Sequence, residues 1–203
     1  MPTARFDLHV HEGSASGDSG TPAAVLAQMY ADRGFDLVGF VGHDRRPDVA
    51  EETAHIPIEV VTGIEHEVQT DPRRIHVVDF PTFDFSYLAH PSLSHPTETL
   101  EQALMTAESY DVDAIEVFNR GSRELPPTVL SGWPQVANSD AHNTFQLGAS
   151  HMTADLHRLT PQSVFDAIRR REVELHNPGL PARDYYTGRL HQGLNLVSSG
   201  ELL

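Results

Sequence analysis

Two pairs of side chains, far apart in the sequence, have the spacing of a metal chelate. His9 and His11 are separated by one residue, and so are Asp140 and His142. Residues i and i+2 of a β-strand point to the same face, so each pair can offer two ligand atoms to one ion. Asp7 would share the face of His9, either to orient a ligand or as an ordinary strand carboxylate. Imidazole and carboxylate ligands together suit Zn²⁺, Mn²⁺ or Fe²⁺, although each pair alone is also common without a metal.

Further polar residues interrupt or end apolar runs. These residues are His43, Glu65, His76 and His90. A buried charge is unfavourable unless it is paired or bound to a metal ion, so these side chains are poor core material. Glu65 can bridge two ions through its two oxygens, whereas Glu67 and His66 are expected at the rim or in solvent. Taken singly, His76 can equally be a hydrogen-bonded strand residue and His90 a loop residue.

The elements that would gather these residues form an alternating series. Predicted strands cover residues 5–11, 36–41, 58–68, 74–80, 87–89, 114–118 and 136–137, and predicted helices cover 21–33, 97–110 and 160–171. Strands that alternate with helices favour an α/β fold with a mostly parallel sheet. In an α/β barrel the carboxyl ends of the strands converge on one face, which would bring the polar residues together.

Composition narrows the class of protein and its partners. The 203 residues suit a single domain, in which residues 178–203 form a loop-rich closing segment and tail. The 14 basic residues, all arginine, stand against 29 acidic ones, which gives a net charge of −15. This charge argues against a nucleic-acid duplex and against an anionic membrane as partners. Because there is no cysteine, disulfides, zinc ribbons and a cysteine nucleophile are excluded.

The sequence shows no segment that predicts attachment to a membrane. Its apolar runs fall short of the ~20 residues that a spanning helix needs. Residues 1–6 lack the basic region and apolar core of a secretory signal. We therefore expect a cytoplasmic protein, and no pattern in the sequence predicts an oligomeric state.

Seven short motifs, taken in order, resemble those of the PHP superfamily, which is named for polymerase and histidinol phosphatase. They are Asp7-Leu8-His9-Val10-His11, Gly42-His43-Asp44, Gly63-Ile64-Glu65, Ile75-His76-Val77, Ala89-His90-Pro91, Glu116-Val117-Phe118-Asn119 and Asn138-Ser139-Asp140-Ala141-His142, closed by Gly148. Each motif is short, but their shared order over residues 5–150 makes the resemblance specific. It implies a distorted seven-stranded β/α barrel with a metal site at the C-terminal ends of the strands.

The resemblance further implies that nine residues bind two or three divalent ions, which would be Zn, Mn or Fe. The first ion would be bound by His9, His11, Glu65 and Asp140. Glu65 would bridge to a second ion, which would be bound also by His76 and His90. The third ion would be bound by His43, His142 and Asp18.

Two positions near the third ion depart from the family pattern. The family usually has an aspartate directly before the histidine of the second strand, and this sequence has Gly42 there. The family loop after the first strand usually reads Ser-Asp-Gly, whereas here Asp18 is slightly displaced within residues 14–20. The third ion is therefore the one that the sequence leaves open.

The activity that the resemblance implies is hydrolysis of a phosphoester by a metal-bound hydroxide, without a side-chain nucleophile. A chain of this size favours a small phosphorylated metabolite or nucleotide as substrate. Two alternatives stay open: a hydrolase of the same metal layout that acts on an amide or lactone, and a non-catalytic metal-binding module. Asp44 is a candidate general acid. Four arginines after strand ends can bind phosphate or simply solubilise loops: Arg45, Arg46, Arg120 and Arg123.

Overall fold

The computed structural model describes residues 1–70, 73–91, 100–120, 122–124 and 132–179. Its strands are β1 (Thr3–His11), β2 (Leu37–His43), β3 (Glu59–Thr70), β4 (Arg73–Phe80), β5 (Phe85–Ala89), β6 (Ala114–Asn119), β7 (Ser122–Arg123), β8 (Gln135–Asn138), β9 (His151–Asp155) and β10 (Glu174–His176). Its α-helices are α1 (Ala23–Asp32), α2 (Ala50–Thr53), α3 (Leu100–Ser109) and α4 (Pro161–Arg169). The start of the helix predicted over 97–110 lies outside the described residues.

A single sheet curls into a nearly closed barrel. Strands β1 to β6 pair in sequence order, and β8 pairs with β6. The residues after β8 then return to β1, because Val10 forms a bridge with Ala141 and the His11 N–H donates to the Ala141 carbonyl at 2.8 Å. The ring therefore contains β1 to β6 and β8, which are the seven strands that the sequence pattern predicts.

The expected strand number of seven is wrong for the sheet as a whole, which has ten strands. Strands β9 and β10 extend the sheet beyond β1 in antiparallel fashion, and β7 forms a short hairpin with β6. These three elements have two to five residues each, too few for an alternating pattern to stand out in the sequence.

The expectation of a mostly parallel sheet is also wrong, because the sheet is mixed. Strand β2 pairs in parallel with β1 and β3, and β6 pairs in parallel with β5 and β8. Strand β4 is antiparallel to both β3 and β5. Only two residues join β3 to β4, and parallel neighbours need a crossover of a dozen or more residues. The short connections therefore impose the antiparallel pairing.

The core lies inside and outside the ring. Within it, Phe6 and Leu8 belong to a buried cluster with Phe80, and Phe165 of α4 packs against that cluster with ring centroids 5.2 Å from Phe80. Helix α1 covers the outside, where Tyr30 joins a second cluster. The barrel thus has an apolar interior at one end, which leaves the other end to the polar residues.

A β-bulge in β1 changes the face that its side chains present. Asp7 pairs with Val38 but Val10 pairs with Phe40, so β1 has one extra residue between them. Leu8 therefore belongs to the interior cluster, whereas Val10 packs in the cluster of α1. The prediction that Asp7 shares the face of His9 is wrong, because the bulge separates them and Asp7 contacts Tyr30 of α1 instead.

The predicted closing segment over 178–203 lies outside the described residues except for Pro178 and Gly179, where the Gly179 N–H donates to the Ala149 carbonyl at 3.2 Å. Across the described ranges, no helix combines the length and the apolar character that crossing a membrane requires.

Candidate metal centre

Ligand atoms of four residues from β1, β3 and the loop after β8 lie close together. The Nε2 atoms of His9 and His11 lie 3.2 Å apart. His11 Nε2 lies 3.2 Å from Glu65 Oε2 and 3.3 Å from Asp140 Oδ1, and His9 Nε2 lies 3.6 and 3.7 Å from oxygens of the same two residues. Ligands about 2.1 Å from a tetrahedral ion are about 3.4 Å from one another. These five separations, two of which go to different oxygens of Glu65, are therefore close to those around a single ion.

The chemistry of these donors also fits a cation. Asp140 Oδ1 is buried and forms no hydrogen bond with any described residue. Burial lowers the pKa of His9, but Asp140 and Glu65 outweigh burial and raise it well above its usual value. The carboxylates thus stabilise positive charge at the imidazoles. A divalent ion would supply that charge and leave the imidazoles neutral.

Glu65 faces two groups of imidazoles with its two carboxylate oxygens. Oε1 lies 2.8 Å from His76 Nδ1 and 2.9 Å from His90 Nε2, whereas Oε2 lies 3.2 Å from His11 Nε2. Burial would raise the pKa of Glu65, but the imidazoles, led by His9, hold it well below its usual range. A carboxylate in this position can bridge two ions, and His76 and His90 can complete the second position.

A third group of ligands surrounds Asp18, which the loop after β1 carries. Asp18 Oδ2 lies 2.6 Å from His142 Nε2, and Oδ1 lies 4.0 Å from His43 Nε2. His43 Nε2 also lies 3.4 Å from Glu65 Oε2. Burial would raise the pKa of Asp18, but the hydrogen bond with His142 outweighs it and lowers the pKa well below its usual value. The side chain of His43 is 41% exposed and lies at the open side of the cluster.

Position 42, directly before His43, has no space for a side chain, which explains why glycine occupies it. A Cβ atom at Gly42 would lie 2.6 Å from Ala15 Cβ and 2.6 Å from the Arg45 carbonyl oxygen. The loop after β1 therefore fills the space that the family's aspartate would need. The same loop brings the displaced Asp18 to His142, so both departures belong to one rearrangement beside the third group.

Arg120 lies inside this site. Its Nε atom is 2.7 Å from Asp140 Oδ2, and its Nη2 atom is 3.1 Å from His142 Nδ1. Burial lowers the pKa of Arg120, but Asp140 outweighs burial and raises it, so the guanidinium stays charged. Arg120 is thus a fixed positive charge at the edge of the ligand cluster.

The other residues predicted for the mouth of the barrel contact the ligands less directly. Arg45 and Arg46 are exposed, and the side chain of Arg123 lies outside the described part of the chain. Asp44 is exposed and accepts a hydrogen bond from the Glu67 N–H at 3.3 Å. These contacts leave the predicted roles of the mouth residues as predictions.

Two residues that support the ligands are absent from the set predicted by sequence. Ser16 Oγ lies 2.8 Å from His11 Nδ1. Glu116 is fully buried and accepts hydrogen bonds from Asn138 Nδ2 and from the His90 N–H, each at 2.7 Å. The available signal for Glu116 is a charged residue in the middle of an otherwise apolar strand. Ser16 gives no comparable signal, because serines are common in loops.

Comparison with known families gives one match. The family model PHP_C, described as PHP-associated, matches residues 131–173. This segment contains β8, the loop that carries Asp140 and His142, and the α4 helix. A search of curated protein sequences found no match.

Several solved structures have a similar fold. A two-domain protein from Bacteroides vulgatus that contains a predicted PHP-like metal-dependent phosphoesterase is 12% identical, with a TM-score of 0.64 over 87% of this chain and 65% of that chain. An amidohydrolase from Chromobacterium violaceum with bound sulfate is 15% identical, with a TM-score of 0.61 over 87% and 99% of the two chains. The lesion-specific endonuclease Q from Pyrococcus furiosus is 14% identical, with a TM-score of 0.54 over 86% and 58%. The chain thus spans less than two thirds of the first and third of these proteins, and identities this low establish a shared fold alone.

One further neighbour bears on the expected partners. An endonuclease Q structure holds a 27-mer duplex with an abasic lesion at its active site, and it is 15% identical with a TM-score of 0.56 over 83% of this chain and 57% of that chain. This neighbour is at odds with the expectation, drawn from net charge, that a duplex is an unlikely partner. The PHP-associated segment, the shared fold and the ordered motifs agree with one another. Residues 131–173 thus match a PHP-associated family model, and the chain shares its fold with a PHP-like structure.

Proposed function

We propose that this protein is a metal-dependent phosphoesterase that hydrolyses a small phosphorylated metabolite or nucleotide. The observation that carries the proposal is the position of Glu65, whose two oxygens face separate groups of imidazoles at 2.8–3.4 Å. Paired ions that share a carboxylate are a recurrent arrangement for phosphoester hydrolysis. The nine predicted ligands, from His9 to His142, are proposed to bind two or three divalent ions, with Zn, Mn or Fe as the candidates.

The bound ions would activate water, orient the phosphate and neutralise charge on the leaving oxygen. The chain's own residues would bind and orient the substrate. His43 and His76 lie on the open side, where their side chains are 41% and 27% exposed. Arg120 lies beside the ligands and offers the guanidinium that a phosphate group would need. We propose no side-chain nucleophile, because Ser139 is buried and its Oγ lies 3.0 Å from the Tyr30 hydroxyl.

The size and charge of the substrate follow from the chain's composition. A net charge of −15 disfavours a long polyanion, which is normally bound by neutralising its phosphates. We therefore propose a small substrate. We also propose a cytoplasmic location, no membrane partner and a single domain. The endonuclease Q neighbours make a lesion-bearing duplex the competing substrate. The amidohydrolase neighbour makes an amide or lactone a second competitor.

A substrate panel tests the proposal on protein purified without chelator. The panel contains nucleoside monophosphates, nucleotide diesters, sugar phosphates, a duplex with an abasic site, and amide and lactone substrates. We expect metal-dependent release of phosphate or of a monoester from a small substrate. Cleavage of only the duplex, or of only the amides and lactones, would overturn the substrate class.

Two variants test the site itself. Asp140→Ala and His9→Ala are expected to abolish turnover, whereas His157→Ala, at an exposed position, should retain it. Unchanged activity in both site variants would show that the reaction occurs elsewhere. Binding of less than one ion per chain, after incubation with Zn²⁺, Mn²⁺ and Fe²⁺, would refute the metal centre. The same result would refute the alternative of a non-catalytic metal-binding module.

A further inference from the structure

Glu116 lies beneath the candidate metal centre, where four hydrogen-bond donors surround its carboxylate. Oε2 accepts from the His90 N–H at 2.7 Å and from Asn119 Nδ2 at 2.9 Å. Oε1 accepts from Asn138 Nδ2 at 2.7 Å and lies 3.7 Å from His9 Nδ1. The side chain is fully buried, so bulk solvent does not screen these contacts.

Glu116 Oε1 lies on the Nδ1 side of the His9 imidazole, whereas the Nε2 atom faces the ligand cluster. His9 points its Nε2 atom at Glu65 and Asp140, so a neutral ligand must carry its proton on Nδ1. Nδ1 is buried and has no acceptor within hydrogen-bond distance among the described residues, while the Glu116 oxygen lies slightly beyond that distance. A carboxylate behind a metal-binding histidine fixes both the tautomer and the ring orientation.

The contact with His90 supports an unfavourable backbone conformation. His90 has a φ of +25°, a backbone angle that residues other than glycine adopt at a cost of about 1–3 kcal/mol. In this conformation its Nε2 atom lies 2.9 Å from Glu65 Oε1. The hydrogen bond from the His90 N–H to Glu116 offsets part of that cost and keeps the imidazole at the second ion position.

Asn138 fixes the orientation of the network. Its Oδ1 atom accepts a hydrogen bond from the Leu8 N–H at 2.9 Å, so its Nδ2 group must donate to Glu116. The same network therefore joins β1, the end of β5, β6 and β8. Because every neighbour is a donor, the site requires an acceptor on both oxygens of residue 116.

We propose that Glu116 is a positioning residue that holds His9 and His90, one ligand from each of two ion positions, in metal-binding geometry. The proposal rests on the proposed metal centre. It assigns to Glu116 no contact with the ions or the substrate. Its role is to make ion binding tight.

The test compares metal affinity in matched variants. Glu116→Gln keeps the size of the side chain but turns an amide N–H toward donors, whichever way the amide lies. We expect affinity for Zn²⁺ or Mn²⁺, measured by competition with a chromophoric chelator, to fall by about 10–100-fold. Asp113→Asn is the control. Asp113 lies just before the opposite end of β6, where it accepts hydrogen bonds from a backbone N–H and from an arginine side chain. This variant should keep wild-type affinity for the ions.

Two further measurements separate positioning from mere folding. Denaturation of the metal-free forms reports any loss of stability. Long-range ¹H–¹⁵N spectra report which nitrogen of His9 carries the proton. The population with the proton on Nδ1 should decrease only in the Glu116 variant. If Glu116→Gln does not fold, Glu116→Asp keeps the charge but shortens the side chain, and we expect a loss of affinity of at least about 5-fold. Wild-type affinity in a folded Glu116 variant overturns the inference. Absence of metal from the wild-type protein instead overturns the proposed function.

Discussion

Asp140 has an unusual combination of backbone conformation and charge environment. Its φ is +46°, and its buried Oδ1 atom faces the imidazoles of His9, His11 and His142 at 3.3–3.7 Å. Its other oxygen contacts Arg120. Burial raises the pKa of Asp140, but Arg120 and the imidazoles outweigh burial and hold the pKa well below its usual value. Arg120 and the imidazoles therefore favour the charged carboxylate and orient it toward the ligand cluster.

Asp140→Asn is expected to remove one ligand without disturbing the loop, because asparagine tolerates positive φ better than most residues. Loss of a charged ligand oxygen should weaken ion binding more than about 100-fold, since even residues behind the ligands contribute 10–100-fold. Metal counting by plasma mass spectrometry after gel filtration checks this. Asp155→Asn, on the exposed part of β9, is the control and should retain its ions.

At the scale of elements, two β-bulges aim side chains at the site. The bulge in β1 lies between Asp7 and Val10, and that in β6 lies between Glu116 and Phe118. In each strand, apolar residues on one side of the bulge pack in the core, whereas a polar residue beside the bulge faces the ligands. Bulges of this kind are common beside active sites, because one extra residue redirects a side chain without breaking the strand.

The close approach of the loop after β1 to β2 predicts a steric cost at Gly42. Gly42→Ala would place a Cβ 2.6 Å from Ala15 Cβ, and we expect a loss of unfolding free energy of about 1–3 kcal/mol. Gly132→Ala, where the Cβ meets no atom of a described residue within 4 Å, should change stability by less than about 0.5 kcal/mol.

Urea denaturation of both glycine variants measures the difference. Combining Gly42→Ala with Ala15→Gly should recover part of the loss, since one of the two clashing atoms is then absent. No recovery, together with equal stability of Gly42→Ala and wild type, would show that the loop does not press on β2.

The pairing of β9 with β10 predicts a pH-dependent stability. His151 is buried, stacks on His176 at 4.9 Å, and lies against Phe35. Burial, aided by the charge of Arg5, lowers the pKa of His151 to about 4. The unfolded chain binds a proton near pH 6.5 and the folded chain does not until about pH 4, so stability falls as the pH decreases through this range.

Between pH 7 and pH 5, we therefore expect the free energy of unfolding to fall by about 1–2 kcal/mol more in wild type than in His151→Asn, once solvent screening is allowed for. Urea denaturation in chelator measures this difference. His157→Asn, at an exposed position, should follow the wild-type dependence. Parallel curves for His151→Asn and wild type would contradict the assignment.

At the scale of the whole molecule, the proposed ions would join distant parts of the chain. The candidate ligands come from β1, the loop after β1, β2, β3, β4, the end of β5 and the loop after β8, which together surround the open end of the barrel. An ion that binds only the folded state stabilises it by about 2.7 kcal/mol at a concentration 100 times its Kd. Closure of the barrel and ion binding should therefore be coupled.

Removal of metal by dialysis against chelator should lower Tm, and Zn²⁺ or Mn²⁺ should restore it. For a chain of this length, about 2.7 kcal/mol corresponds to a shift of roughly 5–11 °C. Differential scanning calorimetry at several metal concentrations checks that Tm rises with the logarithm of concentration. Asp140→Asn should respond far less, and a wild-type Tm that is insensitive to chelator and metal would argue that the ligands do not act together.

The amino-acid sequence by itself determined the ring strands, three of the four described α-helices and the identity of the polar residues at strand ends. The four-residue helix α2 was not predicted. Alternating or continuous apolar residues mark β1 to β6 and β8, so local patterns suffice for these strands. The motif order also pointed to the PHP superfamily, and the PHP-associated match of residues 131–173 and the shared fold agree with that resemblance. The nine predicted ligands do lie together, while their binding of ions stays a prediction.

Only the tertiary structure decided the rest, because it depends on contacts between residues far apart in sequence. The bulge that separates Asp7 from His9 arises from register with β2, and no local signal specifies it. Glycine at position 42 follows from the position of Ala15, and the importance of Glu116 follows from donors on three other strands or loops. Side-chain direction and hydrogen-bond partners are set by packing, which a one-dimensional pattern does not contain.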